Sequence, residues 1–201
     1  LAKAYMNKAN VLHSLGDNQC AVALHDHAIR IYERQVNADG RRELVDGLAM
    51  AYMNKAIVIS DLGEKRAAAE LYDRVIKIYE RLVNKDGRCE LSEWLAMACM
   101  NMAIAKSFLG DNRDAMALYD NAIRIYERLV NEDGRHELAS DLAMAYMNKA
   151  VAISDLEAGL ASLDLFNRAI EIYERLANEN ERYKYVAGLA RAYMNKANAL
   201  H

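Results

Sequence analysis

Apolar residues recur along the chain at steps of three and four residues, in stretches most of which end at a glycine. One stretch passes through Leu48, Ala56 and Ile59 and stops at Gly63, and the next stops at Gly87. Steps of three and four place side chains on one face of an α-helix. A glycine just beyond such a stretch suits a left-handed C-terminal cap, because it has no Cβ. The pattern predicts an all-α protein built from pairs of helices.

The helix pairs are copies of one another. The sequence LAMAYMNKA, which begins at Leu48, returns nearly unchanged every 47 residues, with starts at Leu1, Leu95, Leu142 and Leu189. A fixed period of this length predicts a solenoid, in which each unit buries its apolar face against its neighbours. We expect one domain over 1–201, cut from a longer protein, with units 1–47, 48–94, 95–141, 142–188 and a partial 189–201. The expected helices span 1–14, 18–38, 41–61, 65–85, 88–108, 112–132, 135–155, 159–179 and 182–201.

The residues of one unit resemble a known family. Over 52–75 the sequence reads Y-x2-K-A-x2-I-x2-L-G-x4-A-x2-L-Y-x2-V, which is similar to the tetratricopeptide repeat. The run that begins Leu48-Ala49 and reaches Met53-Asn54 is also similar to the longer repeats of kinesin light chain. The resemblance implies a right-handed α-α superhelix of antiparallel pairs whose first helices line a concave surface. Lys55 departs from the family, which usually has leucine there, and the chain has no proline.

That concave surface is, by the resemblance, where the family binds ligands. On the first helix of the second unit, Met50, Met53, Asn54 and Ile57 share one face because they are spaced i, i+3, i+4 and i+7. The same positions in the other units complete a candidate groove. Its residues are Asn7, Asn54, Asn101, Asn148 and Asn195, Met50, Met97 and Met144, Ile57, Ile104 and Val151, and, at the two ends, Lys3 and Arg191.

Asparagine is unfavourable inside a helix, so its presence in all five copies needs a reason. Its carboxamide can offer a donor and an acceptor to the main chain of a bound peptide. Alternatively, it bonds the neighbouring unit or survives from a recent duplication. Methionine would make the groove apolar and adaptable. For Met53 and its equivalents, packing between successive first helices is the stronger interpretation.

Two charged features are expected to be structural. Lys55 should lay its methylene stem on apolar surface with its ammonium in water. The pair Glu33-Arg34 recurs every 47 residues and is expected to be solvated or to form ion pairs between units.

Composition excludes several kinds of function. A net charge of −3 and a pI near 6.0 give no general attraction to nucleic acid or anionic membranes. No apolar run approaches the roughly 20 residues that span a bilayer. Cys20, Cys89 and Cys99 occupy unrelated positions of the repeat, which favours free thiols in the cytoplasm over a disulfide framework. No residue cluster predicts a metal site, a cofactor site or catalysis, so we expect no cofactor and no enzyme.

The sequence therefore predicts a scaffold that binds a protein or peptide. Two alternatives stay open. The array could regulate an enzyme or signalling domain elsewhere in a longer chain. It could also assemble with itself, because residues 1–13 match 189–201 at all but two positions and both ends should expose apolar surface. Head-to-tail stacking would then join successive copies.

Overall fold

A computed structural model describes residues 1–154, 160–180 and 183–200 of the chain. Within these ranges it contains nine α-helices and no β-strand, so the predicted all-α architecture of helix pairs is confirmed. The helices are α1 (Ala2–Ser14), α2 (Asn18–Glu33), α3 (Val45–Asp61), α4 (Lys65–Asn84), α5 (Ser92–Phe108), α6 (Asn112–Asn131), α7 (Ala139–Ser154), α8 (Leu160–Asn180) and α9 (Tyr183–Asn198).

The chain divides into two compact units, Leu1–Leu109 and Gly110–His201. In the first unit α1 packs on α2, α2 on α3, α3 on α4 and α4 on α5, and the first helices α1, α3 and α5 also contact one another in order. In the second unit α6 packs on α7, α7 on α8 and α8 on α9, with a further contact between α7 and α9. A single continuous domain over 1–201 stays a prediction.

Helix lengths differ from the expected ones mainly in the first helices. The second helices α4 and α6 have 20 residues each, whereas α3 and α5 have 17. The difference arises because the chain enters each of these first helices through a short 3-10 turn, Arg42–Leu44 before α3 and Cys89–Leu91 before α5. The α2 helix ends at Glu33, and the chain continues through a π-helical turn over Arg34–Ala38. The predicted ends at 155, 159, 182 and 201 lie outside the described residues.

Glycines with positive φ follow several of the helices, as predicted. Gly63, after α3, has φ +88°, and Gly87, after α4, has φ +70°. The N–H of Glu64 then donates to the carbonyl of Ile59 at 3.0 Å, so the turn satisfies a carbonyl that the helix end would leave unpaired. Because a side chain at positive φ is strained, these turns favour glycine.

Small residues set the spacing of the helices. Ala56 on α3 and Ala68 on α4 are completely buried, which lets the two helices approach closely. On α3, Ala49 and Ala51 are also completely buried although they point about 160° apart around the helix axis. An inner first helix is therefore covered on two sides. Tyrosines such as Tyr79, which is fully buried, fill the larger spaces.

Candidate functional site

The asparagine row lies on the first helices, at or near the surface. In the first compact unit Asn7 is exposed, and Asn54 and Asn101 are half-buried. In the second unit Asn148 on α7 and Asn195 on α9 are half-buried. The first four positions fall in the middle of their helices and Asn195 lies near the end of α9, but in all five the backbone amide and carbonyl are already used by the helix. At these positions the helix can therefore offer a polar group to a partner only through the side chain.

The asparagines make little use of protein partners. The Nδ2 of Asn101 approaches the Sδ of Met53 on the neighbouring first helix at 4.0 Å, which is a weak interaction. For Asn54 and Asn148, none of the described residues supplies a hydrogen-bond partner to the carboxamide. Their donor and acceptor groups remain available to solvent or to a ligand.

The methionines divide into two sets according to their burial. Met53, Met100 and Met147 are buried, with 3%, 6% and 2% of their surface exposed, so the packing interpretation describes these side chains. Met50 and Met97, three residues earlier on their helices, are half-buried and keep accessible surface. The set with accessible surface also includes Met144.

The remaining candidate residues keep accessible surface as well. Ile57 and Ile104 are half-buried, and Val151 is 38% exposed. Lys3 on α1 and Arg191 on α9 are exposed. Within each compact unit the first helices therefore present asparagine amides beside methionine and aliphatic side chains.

Polar contacts on the other flank of the first helices were not predicted from the sequence. The Nζ of Lys55 lies 2.7 Å from Oδ1 of Asp26 on α2, and only 22% of the lysine side chain is exposed. Its ammonium is thus paired with a carboxylate of the preceding repeat, a contact that the sequence did not predict. The hydroxyl of Tyr52 donates to Oε1 of Glu33, also on α2. Glu33 thus makes a bond between repeats, although to a tyrosine rather than to a cation.

The second compact unit repeats both contacts at the same sequence separations. Tyr146 donates to Glu127, and Lys149 pairs with Asp120. The separations of 19 and 29 residues are identical in both units. This constant separation was the signal in the sequence that could have identified the pairs.

A cleft of about 540 Å³ opens beside Tyr146, between α6 and α8. Glu127 lines it from α6, and Arg168 and Arg175 line it from α8. The guanidinium carbon of Arg168 lies 5.7 Å from the centre of the Tyr146 ring, a cation-π geometry. Burial, together with the hydrogen bond to Glu127, raises the pKa of Tyr146 to about 12. The cleft is on the flank away from Asn148, since two residues turn a helix by about 200°.

The described residues contain no group of three or more histidine, cysteine, aspartate or glutamate side chains that could hold a metal ion. None of the helices in the described ranges is both long and apolar enough to cross a bilayer.

Comparison with known proteins agrees with this architecture. The solved structure of BtubC (BKLC) from P. vanneervenii superposes with a TM-score of 0.75 and 24% identity, covering 95% of this chain and 68% of that one. A Podosopora anserina putative kinesin light chain with nearly identical TPR-like repeats gives 0.54 and 18%, covering 98% and 95%. At these identities the likeness concerns the fold. The predicted similarity to kinesin light chain repeats is confirmed at that level.

No curated protein sequence matches the chain significantly. A family model for the tetratricopeptide repeat matches residues 1–40, 48–87 and 95–136, which is more than half of the chain. The chain therefore belongs to the tetratricopeptide repeat family.

Proposed function

We propose that this chain is a non-enzymatic scaffold of the cytoplasm that binds an extended peptide or protein segment along the asparagine-bearing face of its first helices. Tetratricopeptide repeats generally act as protein-interaction scaffolds. The observation that favours this face is the half-buried carboxamide of Asn54, which has no hydrogen-bond partner among the described residues. A peptide backbone offers the matching carbonyl and N–H groups.

The surroundings of the amides suit a peptide side chain. Met50 and Ile57 lie one turn to either side of Asn54 on α3 and keep accessible surface. Burying such side chains against a ligand contributes free energy without directional constraint, and the thioether adapts to different shapes. Amides would hold the peptide main chain, while the apolar residues would select its side chains. Met144 and Val151 provide the same arrangement beside Asn148 in the second compact unit.

The test uses a peptide selected from a phage library of random 12-residue sequences and labelled with fluorescein. Its affinity is measured by fluorescence anisotropy on the wild type and on a variant carrying Asn7→Ala, Asn54→Ala and Asn101→Ala. Each lost hydrogen bond costs about 1 kcal/mol, so the dissociation constant should rise about 100-fold. Helicity should not fall, since alanine is the better helix former.

A matched control removes amides that lie elsewhere. Asn37 and Asn84 are exposed residues near the ends of the second helices. A variant with Asn37→Ala and Asn84→Ala should bind the selected peptide as the wild type does. Equal affinities for all three proteins, or failure to select any peptide, would remove the asparagine face as the binding site.

Head-to-tail association of copies is a second proposal, with its own supporting observation. The α9 helix exposes apolar side chains that are buried at the same positions of α7. Met194 is 66% exposed, whereas Met147 is 2% exposed, and Tyr193 is 46% exposed, whereas Tyr146 is 5% exposed. Exposed apolar surface of this kind favours association with another chain.

A further inference from the structure

Two changes from the repeat pattern meet at one end of the helices in the first compact unit. Phe108 is the last residue of α5, and the same position of the other units holds a polar residue, namely Ser14, Asp61 and Asp155. Lys65 is the first residue of α4, and its equivalents are Asn18, Asn112 and Gly159. The Nζ of Lys65 lies 4.7 Å from the centre of the Phe108 ring, so the two changes are in contact.

The Phe108 ring contributes little to the packing of the repeats. It is 72% exposed, and Leu109 beside it is 39% exposed. The junction between α2 and α3 forms without an aromatic residue at this position. A single exposed apolar residue is common on protein surfaces, but these two line an open cavity of about 690 Å³. Cavities of this size accommodate ligands.

The rest of this cavity, which we call the Phe108 cavity, consists of the turn after α3 and the first turn of α4. These residues are Gly63, Glu64, Lys65, Arg66 and Ala67. Among the described lining residues Glu64 carries the only negative charge, against two positive charges. The cavity therefore has an excess of positive charge, although the chain as a whole has a net charge of −3.

Both cations keep donors for a ligand. The ammonium of Lys65 has three N–H groups, one of which donates to Oγ of Ser60 at 2.9 Å. The side chain of Arg66 is exposed, and none of the described residues supplies a partner to its guanidinium. A carboxylate bound to Lys65 would lie beside the Phe108 ring, because the ammonium itself is held there. The distance is close to the rise of one extended residue, so adjacent residues of one segment can supply both contacts.

We propose that the Phe108 cavity docks a segment of another protein in which a bulky apolar side chain lies next to an acidic residue. The apolar side chain packs on Phe108 and Leu109, and the carboxylate accepts from Lys65 and Arg66. A membrane surface fits less well, because the ring lines a cavity and Glu64 opposes one of the two cations.

This docking site adds a contact to the scaffold and does not depend on the asparagine-bearing face. Phe108 follows Asn101 by seven residues on α5, which places it on the same side of the helix but about 10 Å further along. A longer partner could therefore continue from one surface to the other, whereas a short acidic peptide needs only the cavity.

Fluorescence anisotropy with the fluorescein-labelled peptide GSDFEDLGS tests the site in the full chain. Substitutions can copy the first unit, which keeps the helices intact, since Ser14, Asn18 and Gln19 already occupy these positions there. Phe108→Ser should raise the dissociation constant about tenfold or more, because the apolar contact is lost. Lys65→Asn together with Arg66→Gln should raise it about tenfold. Raising the NaCl concentration from about 50 to about 500 mM should weaken binding to the wild type but not to this double variant.

The matched control removes two positive charges from elsewhere on the same helix. Lys77 and Arg81 of α4 are exposed and lie outside the cavity. Lys77→Asn together with Arg81→Gln should leave the affinity for GSDFEDLGS unchanged. The variant with Asn7→Ala, Asn54→Ala and Asn101→Ala should also bind this peptide as the wild type does, so that the two surfaces are distinguished.

The charge-reversed peptide GSKFKKLGS should bind about tenfold or more weakly than GSDFEDLGS. Equal affinities for the two peptides, or for Phe108→Ser and the wild type, would overturn the proposal. No binding of GSDFEDLGS up to about 1 mM would do the same. Flotation with phosphatidylserine-phosphatidylcholine vesicles provides the last check, since vesicle binding that Phe108→Ser abolishes would assign the cavity to a membrane instead.

Discussion

A buried histidine offers the sharpest test of how this fold responds to pH. His25 on α2 is completely buried, and neither ring nitrogen has a hydrogen-bond partner in the part of the chain that the structure describes. The equivalent positions of α4, α6 and α8 hold the buried aromatic side chains Tyr72, Tyr119 and Phe166. The perturbation that we consider is His25→Phe, which restores the kind of side chain found in the other repeats.

Burial lowers the pKa of His25 from 6.5 to about 4, because the charged imidazolium would lose its hydration. The nearby His13 and Lys55 lower the pKa further, and Asp26 acts in the opposite direction. Above pH 6.5 the ring is neutral in the folded and the unfolded chain. Between pH 6.5 and 4 the unfolded chain binds the proton more readily, so stability falls as the pH drops through this window.

The difference between 6.5 and about 4 corresponds to at most about 3 kcal/mol. The charged groups around His25 are partly accessible to solvent, which screens them and reduces this free-energy difference to about 2 kcal/mol. His25→Phe has no titrating group, so it should lack this loss. The unfolding free energy of His25→Phe minus that of the wild type should therefore be about 2 kcal/mol larger at pH 4.5 than at pH 7.5. The carboxylates titrate in both proteins, and their contribution cancels in the difference.

Urea unfolding of both proteins at the two pH values, followed by circular dichroism at 222 nm, measures this difference. His27→Gln, at an exposed position of the same helix, is the control and should follow the wild type at both pH values. A carbon-proton NMR titration of the histidine rings gives the pKa of His25 directly. The reasoning is refuted if the His25→Phe difference is the same at pH 7.5 and 4.5, or if His25 titrates near 6.5.

Three further predictions concern packing and polar contacts. Gly47→Ala should lower the unfolding free energy by about 1 kcal/mol in urea titrations, because the new Cβ would lie 2.8 Å from Cε1 of Tyr32. This close contact should outweigh the better helix propensity of alanine. A variant more stable than the wild type would contradict the close contact. Lys55→Met should change stability by less than about 1 kcal/mol, since the pair with Asp26 is partly exposed, and a double-mutant cycle with Asp26→Asn should give a coupling of the same size. A larger coupling would show a pair shielded from solvent. Tyr146 should ionise near pH 12, whereas an unfolded tyrosine ionises near pH 10. Its contribution to stability is therefore complete below pH 10 and is lost as the pH rises through 12. Titration curves of the wild type and of Tyr146→Phe, followed by absorbance at 295 nm, would contradict this if they separate near pH 10.

The interior of a repeat could be predicted from the sequence to a large extent. The step pattern identified the helices, and the glycines marked the turns that adopt positive φ at Gly63 and Gly87. The repeat pattern contains the small residues Ala56 and Ala68, and both are completely buried. These features are local or belong to adjacent helices, so the repeat period carries them directly.

The candidate binding face could be predicted less completely from the sequence. The sequence placed Met50, Met53 and Asn54 on one side of a helix, but only the packed structure separates a buried Met53 from a half-buried Met50. The two side chains are three residues apart, about 60° around the helix, and the edge of the neighbouring helix falls between them. Where that edge lies depends on helix spacing and crossing angle, which the period of the repeat does not contain.

By itself, the sequence determined the period, the helix pairs, the turns and the residues that must be small, because each of these follows from side-chain size and backbone preference within one unit. Only the tertiary structure decided that Lys55 meets Asp26 and that Tyr52 meets Glu33. Long polar side chains reach across to a helix 29 or 19 residues away, and many acids recur at the same period. The choice among them is made by the distance between side-chain ends, which exists only once the helices are packed.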